Sequence, residues 1–163
     1  MARAENYHGS LGDGGRNMVK IGVIGAGSIS DAHLSSYANH PEVEIAAICD
    51  LNEARAKEKA EKYGAAKTYT DYRELLKDSE IDGVSICTWN NSHAQIAIDA
   101  LDAGKHVLVE KPLSKTLDEA FRIEEAVRRS GKVLQVGFVR RYASNTNALK
   151  KFIDAGELGE IYY

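Results

Sequence analysis

From residue 18 onward, short runs rich in Val, Ile and Ala alternate with longer stretches in which apolar residues recur every three or four positions. A brief continuous apolar run suits a strand buried on both faces, and the wider spacing suits a helix with one face on a sheet. On this basis strands are predicted at about 19–24, 43–49, 67–69, 83–87, 106–109 and 133–136. Helices are predicted at about 28–39, 53–63, 71–77, 92–103 and 116–130. Such alternation builds an α/β fold, a doubly wound parallel sheet, and six strands fit the order 3-2-1-4-5-6. Right-handed crossovers put the loops after the first, fourth and fifth strands on one rim, so distant motifs converge there.

Two segments leave the pattern. Residues 1–17 are polar and glycine-rich without periodicity and read as a flexible extension or tag, with Met18 as the start of the folded chain. Residues 18–141 then form the sheet domain. Residues 142–163 read as a linker, with a helix at about 144–155 and a strand beginning at Glu160-Ile161-Tyr162-Tyr163. A strand with no neighbour in its own chain frays or pairs with another molecule, so a homodimer is expected.

The first strand runs directly into Gly25-Ala26-Gly27-Ser28-Ile29-Ser30 at the mouth of a helix, and Asp50 closes the second strand. In that context, Gly-x-Gly is the fingerprint of a Rossmann dinucleotide site. A pyrophosphate needs backbone N–H groups and the positive end of a helix dipole, and any side chain at Gly25 or Gly27 would hold it away. The third glycine of the pattern is replaced by Ser30, so a small residue is kept, and Ser28 or Ser30 can offer a hydroxyl. Ile29 and Leu51, beside the turn and the acid, are placed at the cofactor too. Asp50 stands 20 residues beyond Ser30, the distance at which a carboxylate meets the adenosine ribose. It would repel a 2′-phosphate, which favours NAD over NADP. Arg55 is read as a solvated helix residue.

At 163 residues and 44% hydrophobic composition, one domain with an ample core is expected. A net charge of -3 argues against a nucleic-acid partner. Cys49 and Cys87 close strands on either side of the first, roughly 9–10 Å apart, too far for a disulfide. They read as free buried thiols in a reducing compartment. With no long apolar run and no signal peptide, no membrane association is expected and a cytoplasmic location is. No Cys/His spacing suggests a metal, and His33 and His106 lack companion ligands.

The loop after the fifth strand reads Glu110-Lys111-Pro112 at the end of the sheet where open α/β folds bind ligands. A lysine over a nicotinamide can assist proton transfer while the cofactor moves hydride, and Glu110 can orient it. After the fourth strand come Thr88-Trp89-Asn90-Asn91-Ser92-His93, and after the sixth Arg140-Arg141-Tyr142. His93 reads equally as a helix-start packing residue and as a catalytic one. The arginines suit cofactor or substrate contact as well as plain solvation.

Together, Gly25-Ala26-Gly27, Asp50, Ala103 through Pro112 and Gln135 through Tyr142 resemble the Gfo/Idh/MocA oxidoreductases, the glucose-fructose oxidoreductase and inositol dehydrogenase group. The resemblance runs from about Met18 to the chain end. It implies that Lys111 is the catalytic lysine and Glu110 its cofactor-side neighbour. It also implies that Thr88, Trp89, Asn90 and His93 lie beside the nicotinamide ribose, with Trp89 where the family has proline. Arg141 is counted among the cofactor contacts. Members of the family are about twice this long, and their C-terminal domain carries most of the substrate pocket and a catalytic His with an acidic partner. This chain is therefore expected to be the N-terminal domain alone. Two functions follow: an NAD(H)-dependent oxidoreductase acting on a sugar, polyol or small carbonyl with reduced or altered activity, or an NAD-binding module without turnover.

Overall fold

The computed structural model describes residues 18–162; the extension expected at 1–17 and Tyr163 lie outside the described residues. Strands β1 (Val19–Ile24), β2 (Val43–Cys49), β3 (Lys67–Tyr69), β4 (Gly83–Ile86), β5 (His106–Val109) and β6 (Leu134–Val136) form one sheet, ordered β3-β2-β1-β4-β5-β6. Every neighbouring pair is parallel. The direction in which successive strands are added across the sheet reverses between β1 and β4, which opens a crevice at the carboxyl ends of these strands.

The helices are α1 (Ser30–Ala38), α2 (Glu53–Tyr63), α3 (Tyr72–Leu76), α4 (Asn90–Asp102), α5 (Leu117–Ser130) and α6 (Ser144–Asp154). Strand side chains alternate between faces, so each face builds its own core. Val23, Ile45, Ile48 and Cys87 meet Leu34, Ala56 and Ala60 of α1 and α2. Ile24, Val84, Ile86, Val107 and Val109 meet Leu75, Ala97, Leu101 and Ile123 on the other face. The β1–β2 register skips Ala46, and that bulge lets Ala46 and Ala47 both join the second core. Each fully buried Leu, Ile or Val contributes about 1.5–3 kcal/mol.

Polar side chains set several of the helix ends. Asn52, Asp71 and Thr116 accept backbone N–H groups at the starts of α2, α3 and α5. Asp31 on α1 accepts from Lys59 Nζ at 2.7 Å and Tyr63 Oη at 2.8 Å, fastening α1 to α2. No helix of the described residues is long and apolar enough to cross a membrane.

Two parts of the C-terminal segment differ from expectation. A one-turn 3-10 helix, Val139–Tyr142, follows β6. No strand forms at 160–162: Gly156 and Gly159, both at positive φ, end α6 in consecutive turns, and the residues beyond meet no strand to pair with. The strand pairing between copies expected from the sequence thus has no element among the described residues to carry it.

Candidate dinucleotide-binding site

At the end of β1 the chain passes between the ends of β2 and β4. Gly25 has φ of 95°, and its N–H donates to the Cys49 carbonyl at 2.7 Å. A Cβ here would stand 2.7 Å from the Cys87 carbonyl carbon and 2.8 Å from Thr88 N, both backbone atoms. Ala26 N–H donates to Asp50 Oδ2 at 2.8 Å. The next three amides, of Gly27, Ser28 and Ile29, have no acceptor among the described residues, and a Cβ added to Gly27 would meet nothing within 4 Å. Three unpaired N–H groups at a helix N-terminus, with open space in front of a glycine, form a cradle that fits an anion such as a pyrophosphate. Ser30 is fully buried and its hydroxyl donates back to the Gly27 carbonyl at 2.6 Å. Of the two serines expected to offer a hydroxyl, only Ser28 faces the open side.

A cavity of about 890 Å³ opens in front of this turn. Gly25, Gly27, Ser28 and Ile29 line one side, Asp50 and Leu51 the far end. Thr88, Trp89, Asn90 and His93 line it at the β4–α4 loop, and Glu110 and Lys111 at the end of the neighbouring strand β5. Arg141 is not brought there. It sits on the 3-10 helix beyond β6, at the sheet edge, two strands from the crevice. Thr70, Tyr72 and Asn52 also line the cavity and had no motif to announce them.

Asp50 is held in one orientation. Its Oδ1 accepts from Asn52 N–H at 2.8 Å while Oδ2 serves Ala26, and its side chain is 12% exposed. Arg55, expected to be a solvated helix residue, is half exposed and also places Nη1 3.6 Å from Oδ2 at the edge of the cavity. One turn of α2 separates it from the Asn52 cap, which turns it back toward the strand end. Cys49 and Cys87 contribute to the floor as free thiols. Burial pushes both up to about 12, so they remain neutral and unreactive at physiological pH.

His93, at 1% exposure, has Nδ1 2.7 Å from the Pro112 carbonyl and Nε2 3.0 Å from the Thr88 carbonyl. Both ring nitrogens are engaged with backbone, so the ring ties the β4–α4 loop to the loop after β5. Trp89 is 86% exposed at the start of α4. The Lys111–Pro112 peptide is cis. Lys111 is exposed, and its ammonium has no hydrogen-bond or ion-pair partner among the described residues. Glu110 does not reach that ammonium; its Oε2 accepts from the Lys111 backbone N–H at 3.1 Å. Its Oε1 meets His33 Nε2 at 2.9 Å, a contact hidden in the sequence by a separation of 77 positions.

A parallel 3-2-1-4-5-6 sheet with an anion cradle at its switch point defines a dinucleotide-binding Rossmann domain. The chain belongs to the oxidoreductase family with an NAD-binding Rossmann fold, whose model matches residues 19–138. It is 41% identical over 145 residues to inositol 2-dehydrogenase of Salmonella typhimurium, covering 87% of this chain and 43% of that protein. The structure of scyllo-inositol dehydrogenase from Lactobacillus casei with bound NAD(H) and scyllo-inositol superposes with a TM-score of 0.82 at 25% identity, over 89% of this chain and 43% of that one. A 3-ketoreductase from Actinomadura kijaniata in complex with TDP-benzene and NADP gives 0.84 at 31%, over 89% and 46%. The chain thus spans less than half the length of these relatives.

Proposed function

We propose that the chain binds NAD(H) in this cavity and serves hydride transfer between the nicotinamide and a polyol or sugar, with Lys111 handling the proton. The observation that carries the reading is the run of uncommitted amides at Gly27, Ser28 and Ile29, open to the same cavity as the unpaired Lys111 ammonium. When bound, the nicotinamide supplies the hydride acceptor or donor that no side chain can provide. The amides and the α1 dipole hold the pyrophosphate. Asp50, fixed by two backbone N–H groups, offers its outward lone pairs to the ribose diol and sets a negative charge against a 2′-phosphate, which favours NAD. Arg55 partly offsets that charge, and one relative of this fold is in complex with NADP, so the preference rests on the balance of the two. Lys111 donates a hydrogen bond to the substrate oxygen and gives or takes its proton as a carbonyl becomes an alcohol or the reverse. The inositol dehydrogenases among the relatives support a polyol as the substrate class.

Trp89 is the only tryptophan in the chain and lines the cavity, so its emission reports binding directly. NADH titrated into the protein is expected to quench Trp89 and to be excited by energy transfer from it, in the wild type and in Lys111→Ala alike. Oxidation of myo-inositol with NAD, followed as nicotinamide absorbance, is expected in the wild type and lost in Lys111→Ala. Absence of quenching up to about 1 mM NADH, an affinity weaker than about -4 kcal/mol, would overturn the binding site. Quenching without turnover by either protein leaves a nucleotide-binding module and removes the catalytic half of the proposal.

A further inference from the structure

Beneath the rim that carries Lys111 lies a buried chain of polar groups. Ser85 Oγ is 2.8 Å from His33 Nδ1, His33 Nε2 is 2.9 Å from Glu110 Oε1, and Glu110 Oε2 accepts the Lys111 amide at 3.1 Å. The His33 and Glu110 side chains are 9% and 8% exposed, and Ser85 is fully buried. Strand alternation explains the meeting. Val84 and Ile86 of β4, and Val107 and Val109 of β5, face the α4–α5 core, so Ser85 and Glu110 must face α1, where His33 projects. A carboxylate only accepts, so Nε2 donates to Glu110 while Nδ1 pairs with the Ser85 hydroxyl, and among the described residues no buried side-chain nitrogen or oxygen lacks a partner.

The order Ser–His–acid is that of a hydrolase nucleophile set. Ser85 has no exposed surface and lies inside a central strand, so no substrate reaches it. The chain of bonds therefore acts at its other end. Glu110 is fenced by His33 on one side and by Gly137 on another, where a Cβ would stand 3.1 Å from Oε1. Its remaining oxygen is aimed at the peptide that bears Lys111.

We propose that His33 is a positioning residue for Lys111: by holding Glu110 Oε1 it keeps Oε2 on the Lys111 amide and fixes the backbone from which the lysine reaches over the cavity. This rests on the reading of Lys111 as the proton-handling group. His33 lies one helical turn beyond Ile29, so the same helix presents the anion cradle at its N-terminus and the Glu110 contact at the end of its first turn. Nucleotide bound at the turn is thereby coupled to the lysine through α1 and one carboxylate.

The test is residue-resolved amide hydrogen exchange on the isotopically labelled full chain, with and without NADH. In His33→Leu, exchange at the Lys111 amide is expected to rise about tenfold or more while the amides of Val23 and Ile86 keep their protection. His33→Gln, which can still donate to Glu110, is expected to restore protection to within about threefold. If Lys111 exchange is unchanged in His33→Leu, or if protection falls uniformly across β1 and β4, His33 is only a packing residue and the proposal is overturned. Should His33→Leu fail to fold, Glu110→Gln, whose single carbonyl oxygen cannot stand both where Oε1 meets His33 and where Oε2 meets the Lys111 amide, is judged by the same criterion. NADH is expected to slow Lys111 exchange further in the wild type and not in His33→Leu; an NADH effect of equal size in both overturns the coupling. The nucleotide-free comparison stands whether or not NADH binds, so its failure is distinguishable from failure of the cofactor site.

Discussion

The two glycines of the turn do different work, and alanine at each separates folding from binding. At Gly25 the added methyl carbon meets the backbone of Cys87 and Thr88 at 2.7–2.8 Å, and φ of 95° is a conformation alanine resists. The unfavourable φ costs about 1–2 kcal/mol. Forcing two strand ends apart costs about 1–3 kcal/mol more. Together these give about 2–5 kcal/mol, and at roughly 3 °C per kcal/mol for a chain of this size Gly25→Ala melts about 6–15 °C below the wild type. At Gly27 a methyl meets nothing within 4 Å, and the residue is not at positive φ. Gly27→Ala is therefore expected to melt at or up to about 3 °C above the wild type, because alanine narrows the unfolded ensemble. That methyl occupies the anion cradle, so NADH affinity, read by Trp89 quenching, falls at least about tenfold, or ~1.4 kcal/mol. Thermal unfolding by circular dichroism and NADH titration of both variants decide the matter. A Gly25→Ala protein of wild-type stability would refute the close approach of β1 to the β4–α4 loop, and Gly27→Ala with wild-type NADH affinity would refute the cradle.

Other outcomes follow from the same geometry. Asp50→Asn keeps an acceptor for one backbone N–H but removes the charge beside Arg55, so the NADPH-to-NADH affinity ratio is expected to rise roughly tenfold; an unchanged ratio shows that Asp50 does not select the cofactor. Asp31 is held well below the usual carboxylate range by Lys59 and then Tyr63, so its contribution is complete above the unfolded value near ~4 and declines as pH falls below it. Its side chain is 37% exposed, and screening limits that contribution to about 1 kcal/mol. Asp31→Asn should lose that amount at pH 7 in urea unfolding and approach the wild type at low pH; a pH-independent difference contradicts the ion-pair origin. Cys49 and Cys87 should resist a disulfide reagent at pH 8 in the native protein and react fully in denaturant, and fast native labelling would show that the cavity floor is open.

Much of the fold was legible because a doubly wound sheet writes itself into local pattern. Ile21–Ile24, Ile45–Cys49 and Val107–Val109 are continuous apolar runs that suit a sheet covered on both faces. The cradle was legible for a related reason: Gly25 and Gly27 follow a strand directly, and their chemistry is that of the backbone. Glu160–Tyr162 misled because high strand propensity counts only where a neighbour exists to pair with it. Arg141 does not line the cavity because leaving the same rim of the sheet does not put a residue on a strand that borders it.

The sequence by itself determined the alternation of strands and helices, the glycine turn, the acid at Asp50 and the lysine at the end of β5, since each depends on residues adjacent in the chain. Only the tertiary structure decided which partners these groups have. Arg55 leaning on Asp50, His93 bridging Thr88 and Pro112, and His33 holding Glu110 across 77 positions all depend on which strand lies beside which and on which face each side chain emerges. Those contacts are set by the sheet order and by the period-two alternation acting together, and neither can be read at one residue alone.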